Sequence, residues 1–314
     1  MQNAYVLISP CKDEAEYLER NLKSIESQTV KPAQWVIVDD GSSDDGMAIV
    51  ARYQDRMPFI KVIRRDSGAR AVGGGVVRAF EEGLAAVDVD YDFLCKFDVD
   101  LDMPPRYFEI MLQRMAEDPL LGTCSGKCYY IDEKTGGQIP DVHGDEQSVG
   151  PAKFYRRTCF EEMGGFRKDV GWDAFDCHLV RWLGWRAQSW LEPETRFEHM
   201  RPMGTSQTSI YHGRIRHGRG SYLLGTHPLF FCLVAARRLV TQKPYVTGTA
   251  AYAYGYFQAM VQRAHRHGDA EVTRFVQRFQ LRALRIGKRA SAEKSFRERR
   301  AELGLPQPGP GHEV

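Results

Sequence analysis

Two aspartates one residue apart, Asp98 and Asp100, end the apolar run Phe93-Leu94-Cys95-Lys96-Phe97 and are followed at once by Leu101-Asp102-Met103-Pro104-Pro105. A buried strand that stops abruptly at carboxylates delivers acids to a cleft. The Asp-x-Asp spacing suits a hard divalent cation, because Mg²⁺ and Mn²⁺ take carboxylate oxygen and are usually shared between one or two protein acids and substrate phosphates. Taken alone, an Asp-x-Asp is far more often a solvated acidic turn than a metal site. A second acid pair, Asp39-Asp40, closes the run Trp35-Val36-Ile37-Val38 and leads into Gly41-Ser42-Ser43-Asp44. A carboxylate at such a strand exit can accept from a nucleobase N–H or a ribose hydroxyl. Ser42, Ser43 and Asp44 are good helix N-caps, which explains the turn but not the adjacent acids.

The elements that must position these acids follow from the hydrophobic spacing. Tyr5-Val6-Leu7-Ile8 is an apolar run ended by Ser9-Pro10; Leu18, Leu22 and Ile25 then recur at helical spacing before the run at Trp35. The pattern continues with a helix across Met47 to Tyr53, a strand at Lys61 to Ile63 and a helix on Val77, Phe80, Leu84 and Val87, before the strand from Phe93 to Phe97. Alternation of this kind predicts a parallel sheet with helices on both faces, whose ligands sit beyond the carboxyl ends of the strands. Both acid pairs lie at such ends. Further on, the spacing predicts a helix from Arg106 to Met115, one strand from Thr123 to Ile131, a mobile polar loop from Asp132 to Gly150, a helix from Asp176 to Leu183 and a strand from Arg186 to Trp190.

From Ser221 the pattern is helical. The run Leu229 to Ala236 is too short to span a bilayer and predicts a buried core helix. Val272, Phe275, Val276, Phe279, Ala283 and Ile286 share one helical face, and Arg274, Arg278, Arg282 and Arg285 share another. Between Arg237 and Arg300 there are fifteen Lys/Arg against four Asp/Glu, so a net charge of +2 for 314 residues leaves about −9 for the remainder. The acidic part carries the candidate metal site, and the basic part can face an anionic surface. Nothing indicates a nucleic-acid partner. The scattered, odd-numbered cysteines read as reduced structural thiols; Cys124 and Cys128 lack a second Cys/His pair at zinc-site spacing. No membrane span or signal peptide is evident, and the expected location is the cytoplasm, with peripheral attachment at the inner face of the plasma membrane as an option. The tail from Gly304 to Gly311 is expected to be disordered.

In the order and spacing of its motifs the chain resembles a family 2 glycosyltransferase of the GT-A fold. The Pro-x-x-Asn-Glu turn of such enzymes stands here as Pro10-Cys11-Lys12-Asp13-Glu14, with Asp13 where Asn is usual, followed by Ser24 to Gln28 and the Val-Asp-Asp-Gly-Ser box at Val38 to Ser42. The second half matches with Arg156-Arg157, Gly164-Gly165-Phe166, Trp172-Asp173 and His199, Trp172 standing where Glu is usual. The resemblance implies an α/β fold with a Rossmann-like, mostly parallel central sheet plus a C-terminal helical extension. It divides the chain into a nucleotide-sugar half (1–105), an acceptor half (106–202), a basic helical extension (203–303) and a tail (304–314).

It also implies roles. Pro10, Asp13, Glu14, Asp39, Asp40, Arg70 and Asp98 would bind the nucleotide; Asp100, Asp98 and His199 would hold Mn²⁺ or Mg²⁺; Trp172, Arg156 and Arg157 would face the acceptor. Asp173 is the candidate base for an inverting displacement, because a carboxylate beside the acceptor hydroxyl must take its proton, and Asp176 is the second choice. The implied donor is a nucleoside-diphosphate sugar, most commonly of UDP, and the acceptor is a hydroxyl on a saccharide or lipid-linked glycan. Two alternatives stand beside this: a polyprenyl-phosphate glycosyltransferase acting at the membrane surface, and a non-catalytic sugar-nucleotide-binding scaffold.

Overall fold

A computed structural model describes residues 3–65, 74–132, 135–141, 143–201 and 209–309. The alternating pattern of the first hundred residues becomes β1 (Tyr5–Cys11), α1 (Ala15–Glu26), β2 (Gln34–Asp39), α2 (Gly46–Gln54), β3 (Ile60–Arg64), α3 (Gly74–Ala85) and β4 (Phe93–Phe97). Then come β5 (Leu101–Asp102), α4 (Tyr107–Glu117), β6 (Leu121–Gly126), β7 (Cys128–Ile131), β8 (Gln138–Pro140), β9 (Ala152–Arg156), α5 (Arg157–Met163), α6 (Trp172–Trp182), β10 (Arg186–Trp190) and β11 (Phe197–His199). Five helices follow: α7 (Ile210–Leu223), α8 (Pro228–Thr241), α9 (Tyr245–Val261), α10 (Ala270–Ile286) and α11 (Lys288–Glu302). The chain forms two compact units, residues 1–165 with 185–202, and residues 166–184 with 203–314. Residues 166–184, expected in the acceptor half, therefore cluster with the C-terminal helices.

In the first unit a seven-stranded sheet runs in the order β10-β6-β9-β4-β1-β2-β3. All neighbours are parallel except β9, which lies antiparallel to both β4 and β6. Strands β1, β2 and β4 are almost wholly buried, as continuous apolar runs in a two-sided sheet should be. Helix α3 approaches so closely that a Cβ at Gly83 would stand 2.6 Å from Ile8 Cγ2 and 2.7 Å from Val38 Cγ2. Glycine is what lets the helix lie flat on β1 and β2. On the opposite face the Tyr5 ring stacks on Phe108 at 4.8 Å between centroids. Trp35 closes this part of the core by donating its indole N–H to Ser9 Oγ at 2.8 Å, so its one polar atom is satisfied while the ring is buried.

A second, four-stranded sheet has the order β5-β11-β7-β8, and its formation corrects two sequence expectations. The single strand expected from Thr123 to Ile131 is two strands in two different sheets, broken at Lys127. The break is imposed locally: Gly126 donates to Tyr107 Oη at 2.9 Å, and Lys127 donates to the Trp190 carbonyl at 2.9 Å. The Asp132 to Gly150 segment is not simply a loop, since it contributes β8 and buries Glu146, Ser148 and Val149. Ser148 Oγ lies 2.9 Å from Thr123 Oγ1, and Val149 N–H donates to Ser125 Oγ at 2.8 Å.

In the second unit α7 and α9 touch through glycine. A methyl group on Gly218 or Gly255 would run into the backbone of the partner helix. Helix α10 shows the amphipathic face expected of it: Val272, Val276 and Phe279 are buried, and Asp269 caps its start by accepting from the Glu271 and Val272 N–H groups, each at 2.9 Å. Much of the basic charge is used inside the unit. Arg282 pairs with Glu298 at 2.7 Å, Arg299 lies over the Trp182 ring at 3.4 Å, and Arg300 donates to the Gly184 carbonyl at 2.7 Å. The expectation of a core helix at Leu229 to Ala236 is overturned. In α8 only Phe231 is buried, stacked on Tyr256 at 3.8 Å, while Leu229, Leu233 and Val240 are exposed. The inner face of α8 is narrow: Phe231 at its centre with Val234 and Ala235 half-buried beside it. Residues 304 to 309 are described and have no regular structure. They are held to α11, where Arg300 donates to the Pro306 carbonyl at 2.7 Å.

Candidate active site

Three strand exits of the large sheet and the last strand of the small one converge in the first unit. Asp100, three residues beyond β4 and only 2% exposed, receives His199 Nε2 at 3.1 Å and Arg201 Nε at 2.6 Å, both on Oδ2. The Arg201 guanidinium continues to Glu14 Oε1 at 2.7 Å, joining the β1 exit to the β4 exit. Asp98 pairs through Oδ1 with Lys96 Nζ at 2.5 Å, and its N–H donates to the Pro151 carbonyl at 2.9 Å. The backbone fixes His199 against Asp100 as well. His199 lies opposite Leu101 in the β5–β11 ladder, and Met200 N–H donates to the Asp100 carbonyl at 2.9 Å.

Outside this cluster a second set of ion pairs holds the scaffold. Arg20 of α1 donates to both carboxylate oxygens of Glu198, at 3.0 and 2.7 Å, and through Nε to Asp102 at 2.7 Å. Bidentate guanidinium–carboxylate contacts fix orientation as well as distance. Asp102 therefore locks β5 and β11 to α1 while Asp100 faces the other way in the chemistry.

The electrostatics separate the two acids of the Asp-x-Asp pair. Burial works to raise the Asp100 carboxyl, but the His199 hydrogen bond and the His199 and Arg201 charges outweigh it and hold it below its ordinary value. Asp98 goes the other way: burial raises it, Lys96 opposes, and the neighbouring Asp100 charge adds to the rise. With Glu14 counted, three carboxylates face two cations. His199 Nδ1 is buried with no hydrogen-bond partner among the described residues. A carboxylate-rich cluster with an unused imidazole nitrogen fits a divalent cation.

The β2 exit is built by short loops that bind each other. Asp39, 1% exposed, accepts the Ser42 N–H at 2.8 Å, and Asp40 faces Arg65 at 3.0 Å. Asp13, at a positive φ of 52°, accepts the Ser43 N–H at 2.8 Å, and Asp44 caps α1 through the Ala15 N–H at 2.7 Å. Asp13 is held below the ordinary carboxyl value by the Ser43 backbone hydrogen bond. Carboxylates used this way shape the rim rather than lie unused on it.

In the second unit, Asp173 stands exposed in the first turn of α6, just after Gly171 at φ 82°, whereas Asp176 is buried. The Asp173 charge bears on Arg216 and His217 of α7. His217 is further crowded by Arg214 and by Arg238 of α8, whose guanidinium lies over the Tyr252 ring at 4.0 Å. His217 keeps an exposed edge on α7, but crowding by neighbouring atoms and these three guanidiniums push it down to about 4. The unfolded imidazole binds its proton near pH 6.5, so stability from this site is present above that pH and is lost as pH falls toward 4. His217→Gln should remove the loss, and its melting temperature should fall less between pH 7 and 5 than that of the parent protein. An equal fall in both would refute the placement. Arg216 Nη1 and Arg238 Nη1 are buried without a hydrogen-bond partner among the described residues, so the cluster has donors to spare.

Residues 6–175 match the model for glycosyl transferase family 2. The chain belongs to that family. A curated relative, the beta-monoglucosyldiacylglycerol synthase of a Synechocystis strain, is 26% identical over 204 residues, covering 59% of this chain and 40% of its own length. The chain thus spans less than half of that relative. Among solved structures, the mannosyltransferase PcManGT of Pyrobaculum calidifontis, in complex with GDP-Man and Mn²⁺, superposes with TM-score 0.51 at 18% identity, covering 95% of this chain and 86% of that one. Staphylococcus aureus TarS in complex with UDP-GlcNAc gives TM-score 0.52 at 14% identity, with 97% and 93% covered. At these identities the likeness shows the fold, and that fold is GT-A.

Within this family 2 chain, the structure brings Glu14, Asp98, Asp100 and His199 together and places Asp39 and Asp40 on a neighbouring strand exit, with Pro10 in β1. Arg70 lies outside the described residues. Arg156 is committed internally, donating to the Met115 carbonyl at 2.6 Å with its guanidinium over Phe93, and Arg157 pairs with Glu161 at 2.8 Å. The Trp172 ring is buried against Phe166 at 4.4 Å between centroids. Sequence reasoning missed Lys96 and Arg201. Lys96 was visible as the one charge inside an apolar strand, while Arg201 carried no signal beyond standing two residues after His199.

Proposed function

We propose that this family 2 protein transfers a sugar from a nucleoside-diphosphate sugar, with UDP as the preferred nucleotide, to a hydroxyl acceptor with inversion at the anomeric carbon. The observation that carries the reading is the convergence of Asp98, Asp100, His199 and Arg201 on one largely buried cluster at the strand exits, where α/β sheets bind nucleotides. Asp39 and Asp40 suit the base and ribose. Asp98, Asp100 and His199 would hold Mn²⁺ or Mg²⁺, which when bound neutralises charge on the departing diphosphate. Arg201 and Lys96 supply countercharge to the carboxylates. Asp173 accepts the acceptor's proton as the hydroxyl attacks.

A thermal-shift panel of UDP, GDP and dTDP with Mn²⁺ tests the donor reading. At a ligand concentration about 100 times Kd the stabilisation is about 2.7 kcal/mol, which for a chain of this size is roughly 5 °C. The expected result is a shift of that order for UDP that needs the metal. No shift with any nucleotide would overturn the reading, and a shift without metal-dependent release of nucleoside diphosphate from any nucleotide sugar would favour the scaffold alternative.

A second reading, that the acceptor is an anionic lipid reached at a membrane surface, is favoured by two features of the second unit. Arg214, Arg216 and Arg238 form a cluster with unused donors, and α8 and α9 expose Leu233, Val240, Val246, Phe257 and Val261. Among the described residues no helix is long and apolar enough to cross a membrane, so the contact would be interfacial. Co-sedimentation with anionic vesicles but not zwitterionic ones is the expected outcome. Equal sedimentation with both, or with neither, counts against it.

A further inference from the structure

One strand over from His199 in the small sheet, three side chains of mixed softness meet on β7 and just beyond β8. Cys128 opens β7 with its side chain buried, and Asp141 follows β8; the Asp141 N–H donates to the Cys128 carbonyl at 2.9 Å, so the hairpin itself holds the two in register. Cys128 Sγ lies 3.9 Å from Asp141 Oδ2, and His143 Nε2 lies 3.3 Å from the same oxygen. All three ligand atoms fall within 4.8 Å of one another. Around a tetrahedral Zn²⁺ with bonds of about 2.0 to 2.3 Å, ligand atoms stand roughly 3.3 to 3.6 Å apart. The cluster needs only small side-chain adjustments to reach that.

The plain alternative is a His–Asp ion pair beside a structural thiol. His143 Nε2 argues against it, because this atom is buried and, despite its distance from Asp141, makes no aligned hydrogen bond among the described residues. Two ligands of one ion approach each other in just this way. The other ring nitrogen, Nδ1, lies 3.4 Å from the Gln147 amide. With that amide turned, Gln147 Oε1 accepts the Nδ1 proton and leaves the Nε2 lone pair facing Cys128 and Asp141, the orienting arrangement that metal-binding histidines use.

We propose that Cys128, Asp141 and His143 hold a thiophilic divalent cation of the Zn²⁺ class, with solvent in the fourth position, at a site separate from Asp98, Asp100 and His199. The two sites would sort metals by softness: thiolate and imidazole here, carboxylate-dominated oxygen there. Without an ion, burial and then Asp141 push the Cys128 thiol up to about 12, so binding releases its proton to solvent as the thiolate forms. The bound ion staples the β7–β8 hairpin to the segment leading into β9. That segment carries Pro151, whose carbonyl accepts the Asp98 N–H, so the staple steadies one side of the donor site.

Cobalt reads the site directly, since a thiolate ligand gives Co²⁺ a charge-transfer band in the near ultraviolet that oxygen and nitrogen ligands do not. The chain, stripped of metal by chelation and carrying Cys232→Ser to remove the exposed thiol, is titrated with Co²⁺. The expected result is a thiolate band saturating at one ion per chain, displaced by equimolar Zn²⁺, kept in Asp100→Asn and absent from Cys128→Ser. His143→Ala and Asp141→Asn should each weaken Co²⁺ binding by about tenfold or more. No band in the parent, or a band that survives Cys128→Ser, overturns the proposal. If circular dichroism shows that Cys128→Ser does not fold, unchanged Co²⁺ affinity in both other variants overturns it instead. The Asp100→Asn arm keeps this outcome independent of the donor-site reading.

Discussion

Asp100→Asn is expected to lower sugar transfer by at least about 100-fold and to abolish the metal-dependent nucleotide shift, while the protein stays folded. The side chain is isosteric, so β4, β5 and β11 keep their places, and Arg201 retains Glu14 as its partner. What is lost is the charge on the one carboxylate that His199 and Arg201 both address. The metal-ligand role proposed for Asp100 needs a carboxylate, which its partners favour by holding the carboxyl below its ordinary value, and asparagine cannot supply one. Asp102→Asn is the control. Its carboxylate turns toward Arg20 at 2.7 Å, so that variant should keep the metal-dependent shift. If Asp100→Asn turns over normally and still responds to Mn²⁺, the assignment of this cluster to the metal is wrong.

Asp173→Asn should reduce kcat by about 10² to 10⁴, the usual range for a lost general base, with the UDP shift unchanged. The residue stands exposed in the first turn of α6, open to an incoming hydroxyl. The acid limb of the pH–rate profile should disappear in the variant. Asp176→Asn provides the contrast, because that side chain is buried and its removal should act on stability first. Unchanged turnover in Asp173→Asn would remove it from the chemistry.

The half of the site assigned to the donor was legible because Asp39 ends, and Asp98 directly follows, a mostly apolar strand. Asp39 and Asp98 announce themselves by where the hydrophobic run stops. Arg201 was not legible, since its partners Glu14 and Asp100 lie about 190 and 100 residues away and nothing local marks a guanidinium as paired. The break at Lys127 was missed for the same reason: the groups that end β6, Tyr107 and Trp190, come from both directions along the chain. Helix α8 misled because a run of apolar residues says that a helix is greasy, not which neighbour covers it. Zinc-type spacing around Cys128 was sought as a Cys/His pair, whereas the candidate ligands are an aspartate and a histidine beyond the next strand.

The antiparallel strand β9 has a consequence for synthesis. It is the strand that covers the outer edge of β4, and it begins 55 residues after β4 ends. At about 5 to 20 residues per second a growing chain leaves that edge open for roughly 3 to 10 seconds, with five apolar-rich residues offering their backbone to any extended neighbour. Lys96 lies within that edge. A lysine in a waiting strand discourages pairing with other nascent chains, so the ammonium that later neutralises Asp98 first serves as a guard against aggregation on the ribosome.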